Sequence, residues 1–468
     1  MSKGGMNEKD DAKDGEANRL SARVARYAKV GANVGGVAAK VAGQRLLGGD
    51  NGAEKNAQAL KAALGGLKGP IMKVAQMMAT IPEALPAEYA AELSQLQSMA
   101  PPMGWPFVKR RMVAELGPGW RKRFTSFERE AAAAASLGQV HKAVSLEGAA
   151  LACKLQYPDM QSAVEADLAQ LGLIFSLQRR IDSAVDTSEM ADEIGLRLRE
   201  ELDYDLEARH MALYDAIFKE DPRIAVPQVN AELSTPRLLS MSWQDGAPLL
   251  DFCNHELAER NAIAEAMFTA WWFPFSHYGV IHGDPHLGNY SVRDDFSVNL
   301  LDYGCIRVFP PSFVSGVIEL YRSLEADDRD RSVAAYETWG FRGLSNELID
   351  VLNMWAGFIY GPLLDDRVRS IADGIKPGDY GRKEASAVHA ALKTHGPVTP
   401  PREFVFMDRA AIGLGGVFLH LGAELNFYRL FNETIEGFEH AQLVERQTNA
   451  LNSAGVPLPQ ERISATMN

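Results

Sequence analysis

"HGDPHLGNY", residues 282–290, followed after a short gap by "LLDYGC", residues 300–305, is the pair of stretches from which the fold can be read. The spacing is His-x-Asp-x-x-x-x-Asn, then Asp-aromatic-Gly directly after an apolar run. Across 278–308, short apolar runs alternate with polar and glycine turns, a pattern that predicts small hairpins. Such hairpins would bring Asp284, Asn289 and Asp302 to one point. Hard oxygen donors of this kind suit Mg²⁺. Phosphoryl transfer from ATP asks for a carboxylate beside the attacking oxygen and for metal-held phosphates opposite it. The set therefore predicts ATP and Mg²⁺ as cofactors, Asp284 as the catalytic carboxylate, and Asn289 and Asp302 as metal ligands.

Outward from this loop, "LACKL" (151–155) puts Lys154 on an apolar strand. A buried ammonium there is costly unless it is paired. Its expected partner lies in "EELDYDLEARH" (200–210), where Glu201, Asp203 and Glu207 are read as acids on one amphipathic helix. Before the lysine strand comes "EREAAAAASLGQVHKA" (128–143). Val140–Val144 reads as a strand. Alanine is the best helix former, so Ala132–Ala135 are expected to favour a helical turn. A phosphate-binding loop would use glycine there, because no Cβ then blocks the backbone N–H groups. Alanine methyls obstruct that approach.

The bulk of the chain bounds the alternatives. It has 468 residues, 46% hydrophobic and 23% charged, with a net charge of −13. That composition is ordinary for a globular protein, and the acidic balance argues against a nucleic-acid partner. Three cysteines, Cys153, Cys253 and Cys305, are too few for a disulfide framework. No apolar run reaches the length of about 18 residues that a membrane-spanning helix needs. Residues 1–20 are polar and acidic and are expected to form a disordered tail. They lack the features of a secretory signal or a mitochondrial presequence, so a cytoplasmic chain is expected. Residues 21–48 carry five basic residues and no acid among small apolar ones, which suits a helix resting on an anionic lipid surface.

Together these stretches resemble the UbiB/ADCK family of atypical kinases, which support ubiquinone biosynthesis. The resemblance runs from about residue 21 to 445. It rests on the alanine-rich loop, "CKLQYPDM" (153–160), "EELDYDLEA" (200–208), "HGDPHLGN" and "DYG", and on "KVAQ" (73–76), which is similar to a Lys-x-Gly-Gln signature. It implies an α+β, two-lobed protein-kinase-like fold with an N-terminal helical extension. The implied division is 21–125 for the extension, 126–245 for a small lobe with inserted helices, and 246–468 for a large helical lobe.

The resemblance also implies roles. Glu207 pairs with Lys154. Ala133, Ala134, Ala135 and Ser136 form the nucleotide-facing loop, linked in the family to altered nucleotide selectivity and suppressed autophosphorylation. Lys73 and Gln76 point into the cleft, with Glu201 and Asp203 as partners, and occlude a protein substrate. Expected partners are the nucleotide, an anionic membrane surface, quinone-biosynthesis enzymes and a second copy of the chain. The expected location is peripheral on a bacterial inner membrane, or else the mitochondrial matrix side. The chain departs from the family pattern at Ala75, Ser242, Cys153 and Tyr303. Two other functions fit the catalytic loop alone: a small-molecule phosphotransferase of the aminoglycoside or choline type, and a nucleotide-gated scaffold without turnover. The alanine loop, KVAQ and the acidic motif argue against the first.

Overall fold

The computed structural model describes residues 103–134, 137–158, 160–161, 164–165, 168, 195–196, 198–339, 341, 343–376, 380–395 and 402–459. The tail, the basic segment 21–48, Lys73, Gln76, Ala135 and Ser136 lie outside them.

A helix, α1 (Trp105–Leu116), opens the described chain. Pro106 sits in its first turn, and Gly117 closes it at φ 84°, a conformation glycine adopts without a Cβ penalty. Strands β1 (Phe124–Phe127), β2 (Ala133–Ala134), β3 (Gly138–Ser145) and β4 (Ala150–Gln156) follow. After helix α2 (Tyr204–Phe218) come β5 (Ile224–Ala225), β6 (Leu238–Ser242) and β7 (Ala247–Pro248). The small-lobe sheet is antiparallel in the order β1-β3-β4-β6, with β2 also on β3.

The period of two along β4 decides what each face holds. Leu151, Cys153 and Leu155 are buried in a core shared with Val108, Met112 and Trp120 of the α1 region. Lys154 therefore sits on the opposite face. Arg111, itself buried, locks α1 to the end of that strand by donating to the carbonyls of Gln156 (3.1 Å) and Tyr157 (3.2 Å).

Two expectations are corrected. The alanines at 133–134 form no helical turn. They pair antiparallel with β3, Ala133 opposite Val140 and Ala134 opposite Gln139. Pairing with a neighbouring strand overrides helix propensity, which is worth well under ~1 kcal/mol per residue. The acidic stretch is likewise no single helix. Glu201 and Leu202 lie in a turn, and Asp203 is the N-cap of α2, its carboxylate accepting the Leu206 N–H at 2.9 Å. Of the three acids only Glu207 is helical.

Helix α3 (Leu257–Tyr278) crosses the large lobe, with Trp271, Trp272 and Phe275 in the core, and ends at Gly279 in a left-handed cap. Strands β8 (Val280–His282), β9 (Tyr290–Val292), β10 (Val298–Leu300) and β11 (Ile306–Val308) follow. They pair as β8 with β11 and β9 with β10. The strand β5, inside 126–245, runs parallel to β10. Helices from Pro311–Glu325 to His440–Ala454 complete the lobe. Among the described residues no helix is long and apolar enough to cross a membrane.

Gly138 of β3 faces both β4 and the start of α2 closely. A Cβ there would lie 2.5 Å from the Leu155 carbonyl oxygen and 2.9 Å from the Tyr204 hydroxyl. Overpacking of this kind costs ~1–3 kcal/mol. Gly138→Ala is expected to lower the urea midpoint accordingly, and an unchanged midpoint would contradict the packing.

Candidate functional site

The site is assembled by strand pairing. β8 and β11 pair so that His282 faces Ile306, and the Gly283 N–H donates to the Cys305 carbonyl at 2.8 Å. At the other end Tyr290 faces Leu300, and the Leu301 N–H donates to the Asn289 carbonyl at 2.9 Å. The loop carrying Asp284 and the loop carrying Asp302 are thus held side by side at both ends. Gly283 has no room for a side chain, since a Cβ would meet the Cys305 carbonyl at 2.8 Å.

Within the first loop the backbone folds on itself. The His286 N–H and the Asn289 side-chain amide both donate to the Asp284 carbonyl, at 2.7 and 2.9 Å. With Nδ2 spent on that bond, the amide oxygen of Asn289 is the atom left to face a cation. His286 accepts the Gly288 N–H through Nδ1 at 3.1 Å. His282 Nε2 donates to the Asp302 carbonyl at 2.7 Å. Both histidines shape loops, as their positions suggested. The Asp302 carboxylate curls back to accept the Gly304 N–H at 2.9 Å.

Lys154 reaches this point from the small lobe. Its Nζ is 2.6 Å from Glu207 Oε1 and 3.6 Å from Asp302 Oδ2, and lies 5.4 Å from the centre of the Tyr204 ring. The lysine side chain is 12% exposed, Glu207 only 1%, Asp302 39%. Burial disfavours the ammonium, but the carboxylates of Asp302 and Glu207 outweigh it and hold the group protonated. The structure thus brings Lys154, Glu207, Asp302, Asp284 and Asn289 to the junction of the lobes. Glu201 is there too, its Cγ 3.8 Å from where a Gly304 Cβ would stand. Asp203 serves as a helix cap. Ala133 and Ala134 are exposed on β2.

Sequence patterning missed three supports. His210, one turn after Glu207, donates through Nδ1 to the Tyr303 carbonyl (3.1 Å), and Tyr214 packs edge-on against the Tyr303 ring at 5.4 Å. The i, i+3, i+7 stripe Glu207–His210–Tyr214 was the available signal. Arg307 pairs with Glu200 at 3.0 Å and reaches Cys305 Sγ at 3.2 Å. No local pattern marks residues so far apart in sequence as partners.

His210 is buried, which pushes its pKa down to about 4, and the partly buried His277 is pushed equally low. A histidine held neutral in the fold binds its proton only on unfolding, so stability is kept above about 6.5 and lost as pH falls toward 4. Between pH 7.5 and 5, His210 alone should cost about 2 kcal/mol. Urea midpoints of the native chain and His210→Gln at both values would show this. An identical pH dependence in the two would refute it.

A hydrated divalent cation asks fewer donors of the protein than a fully caged one. Among the described residues no three of His, Cys, Asp or Glu form a cage that could hold a metal unaided. Mg²⁺ is held by one or two protein oxygens with water and phosphate completing the shell. The half-open Asp302 carboxylate, on a loop tied through the Leu301 N–H to the Asn289 carbonyl, offers an oxygen donor of that kind.

With this geometry in view, the ABC1 atypical kinase-like domain matches residues 95–336, just over half of the chain. The chain belongs to that family. It is 26% identical over 379 residues to AarF domain-containing protein kinase 1 of Xenopus tropicalis, covering 78% of this chain and 70% of the relative. It is 28% identical over 275 residues to the mitochondrial atypical kinase COQ8 of Saccharomyces cerevisiae, covering 58% of this chain and 54% of the relative. The chain thus spans about half the length of the yeast protein. Among solved structures it resembles Rv3197 of Mycobacterium tuberculosis, in a complex with erythromycin. The TM-score is 0.57 and the identity 28%, covering 82% of this chain and 97% of the other. The ABC1 family assignment accords with the two-lobed, kinase-like architecture described above.

Proposed function

We propose that this ABC1-family chain binds Mg-ATP between its lobes and hydrolyses it or transfers its terminal phosphoryl group, in support of isoprenoid-quinone lipid metabolism. One observation carries the chemical part: the Lys154 ammonium, clasped by Glu207 and within reach of Asp302, stands at the junction where the Asp284 loop meets the Asp302 loop. Bound Mg²⁺ would supply charge neutralisation at the phosphates, with Asn289 and Asp302 as its protein ligands. Lys154 orients phosphate oxygens by charge-assisted hydrogen bonds. Asp284 takes the proton of the attacking hydroxyl or water. Glu207 keeps the lysine charged and aimed. Ala133 and Ala134 narrow the approach to the phosphates from the small lobe.

The quinone connection rests on the family, whose relatives include the mitochondrial atypical kinase COQ8 and a chloroplastic protein named Activity of bc1 complex kinase 8. An anionic lipid surface as activator, quinone-biosynthesis enzymes or a second copy as partners, and a peripheral membrane location belong to the same proposal. The test is phosphate release from ATP by the purified full chain, with Mg²⁺, with EDTA, and with phosphatidylglycerol vesicles, beside a panel of small alcohols. Mg²⁺-dependent release raised by vesicles is expected. Fast phosphorylation of one alcohol would instead favour the small-molecule phosphotransferase, and Mg²⁺-independent binding without turnover the scaffold.

A further inference from the structure

Strand β1 is the outer strand of the small-lobe sheet. Among the described residues it pairs with β3 on one side and with no strand on the other. All four of its residues line a depression of about 220 Å³, whose other walls are Trp105, Trp120, Arg121 and Arg129. No acid lines it.

Trp105, Trp120, Phe124 and Phe127 pack on one another with ring centres 5.2–6.3 Å apart, which makes a stiff floor. Arg121 lies 5.5 Å from the Trp105 ring centre and 5.4 Å from that of Trp120, and Arg129 lies 5.8 Å from Trp105. Stacking positions a guanidinium without consuming its N–H donors. Neither arginine has an ion-pair partner among the described residues, in contrast to Arg111 and Arg237, which both pair with Glu115. The site lies on the sheet edge, away from Lys154. It is a cationic concavity on a chain whose net charge is −13.

We infer that this groove docks an extended acidic segment of a partner protein, which adds to the open edge of β1 through main-chain hydrogen bonds and offers carboxylates to Arg121 and Arg129. Strand addition of this kind takes its affinity from the backbone and its specificity from flanking side chains. A lipid surface fits less well. Interfacial attachment inserts projecting apolar side chains, whereas Trp120 and Phe124 are only 3% and 6% exposed and the surface is concave. Charges that merely guard an edge strand need no aromatic seat.

The probe is a fluorescein-labelled octapeptide of alternating glutamate and valine, added to the full chain and followed by anisotropy. Saturable binding is expected, weakened at least tenfold in Arg121→Glu/Arg129→Glu and partly kept in Arg121→Lys/Arg129→Lys. The charge-matched control Lys219→Glu/Lys376→Glu should stay within twofold. Circular dichroism checks that each variant is folded. No binding by the native chain, or equal binding by the Arg121/Arg129 and control variants, overturns the inference. Arginine-dependent capture of phosphatidylglycerol vesicles without peptide binding also overturns it, in favour of lipid headgroups. Phosphate release from ATP, read in parallel, separates this outcome from the fate of the proposed catalysis.

Discussion

Asp302→Asn is expected to reduce ATP turnover by about 10³-fold or more while leaving the fold nearly intact. The amide has the shape of the carboxylate and keeps an oxygen to accept the Gly304 N–H, now 2.9 Å away. The Asp302 backbone carbonyl still receives His282. What disappears is the negative charge. With it goes the hard anionic oxygen that would hold Mg²⁺ and one of the two counter-charges of Lys154. Glu207 at 2.6 Å still balances the lysine, so the melting temperature should move by only a few degrees. Phosphate release and a thermal melt on the same preparation test this. Turnover near the native level would show that Asp302 holds no metal in the reaction.

Removing the lysine separates stability from chemistry. In Lys154→Met the Glu207 carboxylate stays at 1% exposure without its partner. Breaking a buried pair from one side costs ~3–5 kcal/mol. Burial already pushes the Glu207 carboxyl up from its ordinary value, and without the ammonium it rises further. A carboxyl whose folded pKa is raised stabilises below its unfolded pKa and loses that stability as pH climbs through the folded one. Lys154→Met should therefore regain stability on mild acidification. Lys154→Met/Glu207→Met buries two apolar chains in place of the pair and should recover most of the loss at neutral pH. Both variants should be inactive, because the phosphate-orienting charge is gone in each. Urea midpoints across pH, with phosphate release, decide the matter. If the double variant is as unstable as the single one, the pair is not the source of the penalty.

Much of this was legible because the chemistry is compressed into short stretches. Asp284, Asn289 and Asp302 are close in sequence, and the apolar runs between them pair as the alternation suggests. Lys154 was conspicuous as a lone cation on an apolar strand. Glu207 was one of three acids in the right segment, but pattern alone did not separate it from Glu201 and Asp203. That took the cap at Asp203, which starts the helix and turns Glu207 inward. The alanine run misled because helix propensity is weak beside a neighbouring strand with open hydrogen-bonding groups.

The chain by itself pointed to the family through its short motifs, and through that resemblance to the fold class; local spacing marked Asp284, Asn289 and Asp302 as candidate phosphate-handling groups. The family resemblance implied Glu207 as the partner of Lys154, and the tertiary structure sets that pair at 2.6 Å; only the tertiary structure decided that His210 and Arg307 brace the Asp302 loop and that a cationic groove runs along β1. The Lys154–Glu207, His210–Tyr303 and Arg307–Glu200 contacts join residues 53, 93 and 107 positions apart. Their energies depend on burial and on distances of a few ångströms, and neither quantity exists until the lobes have packed.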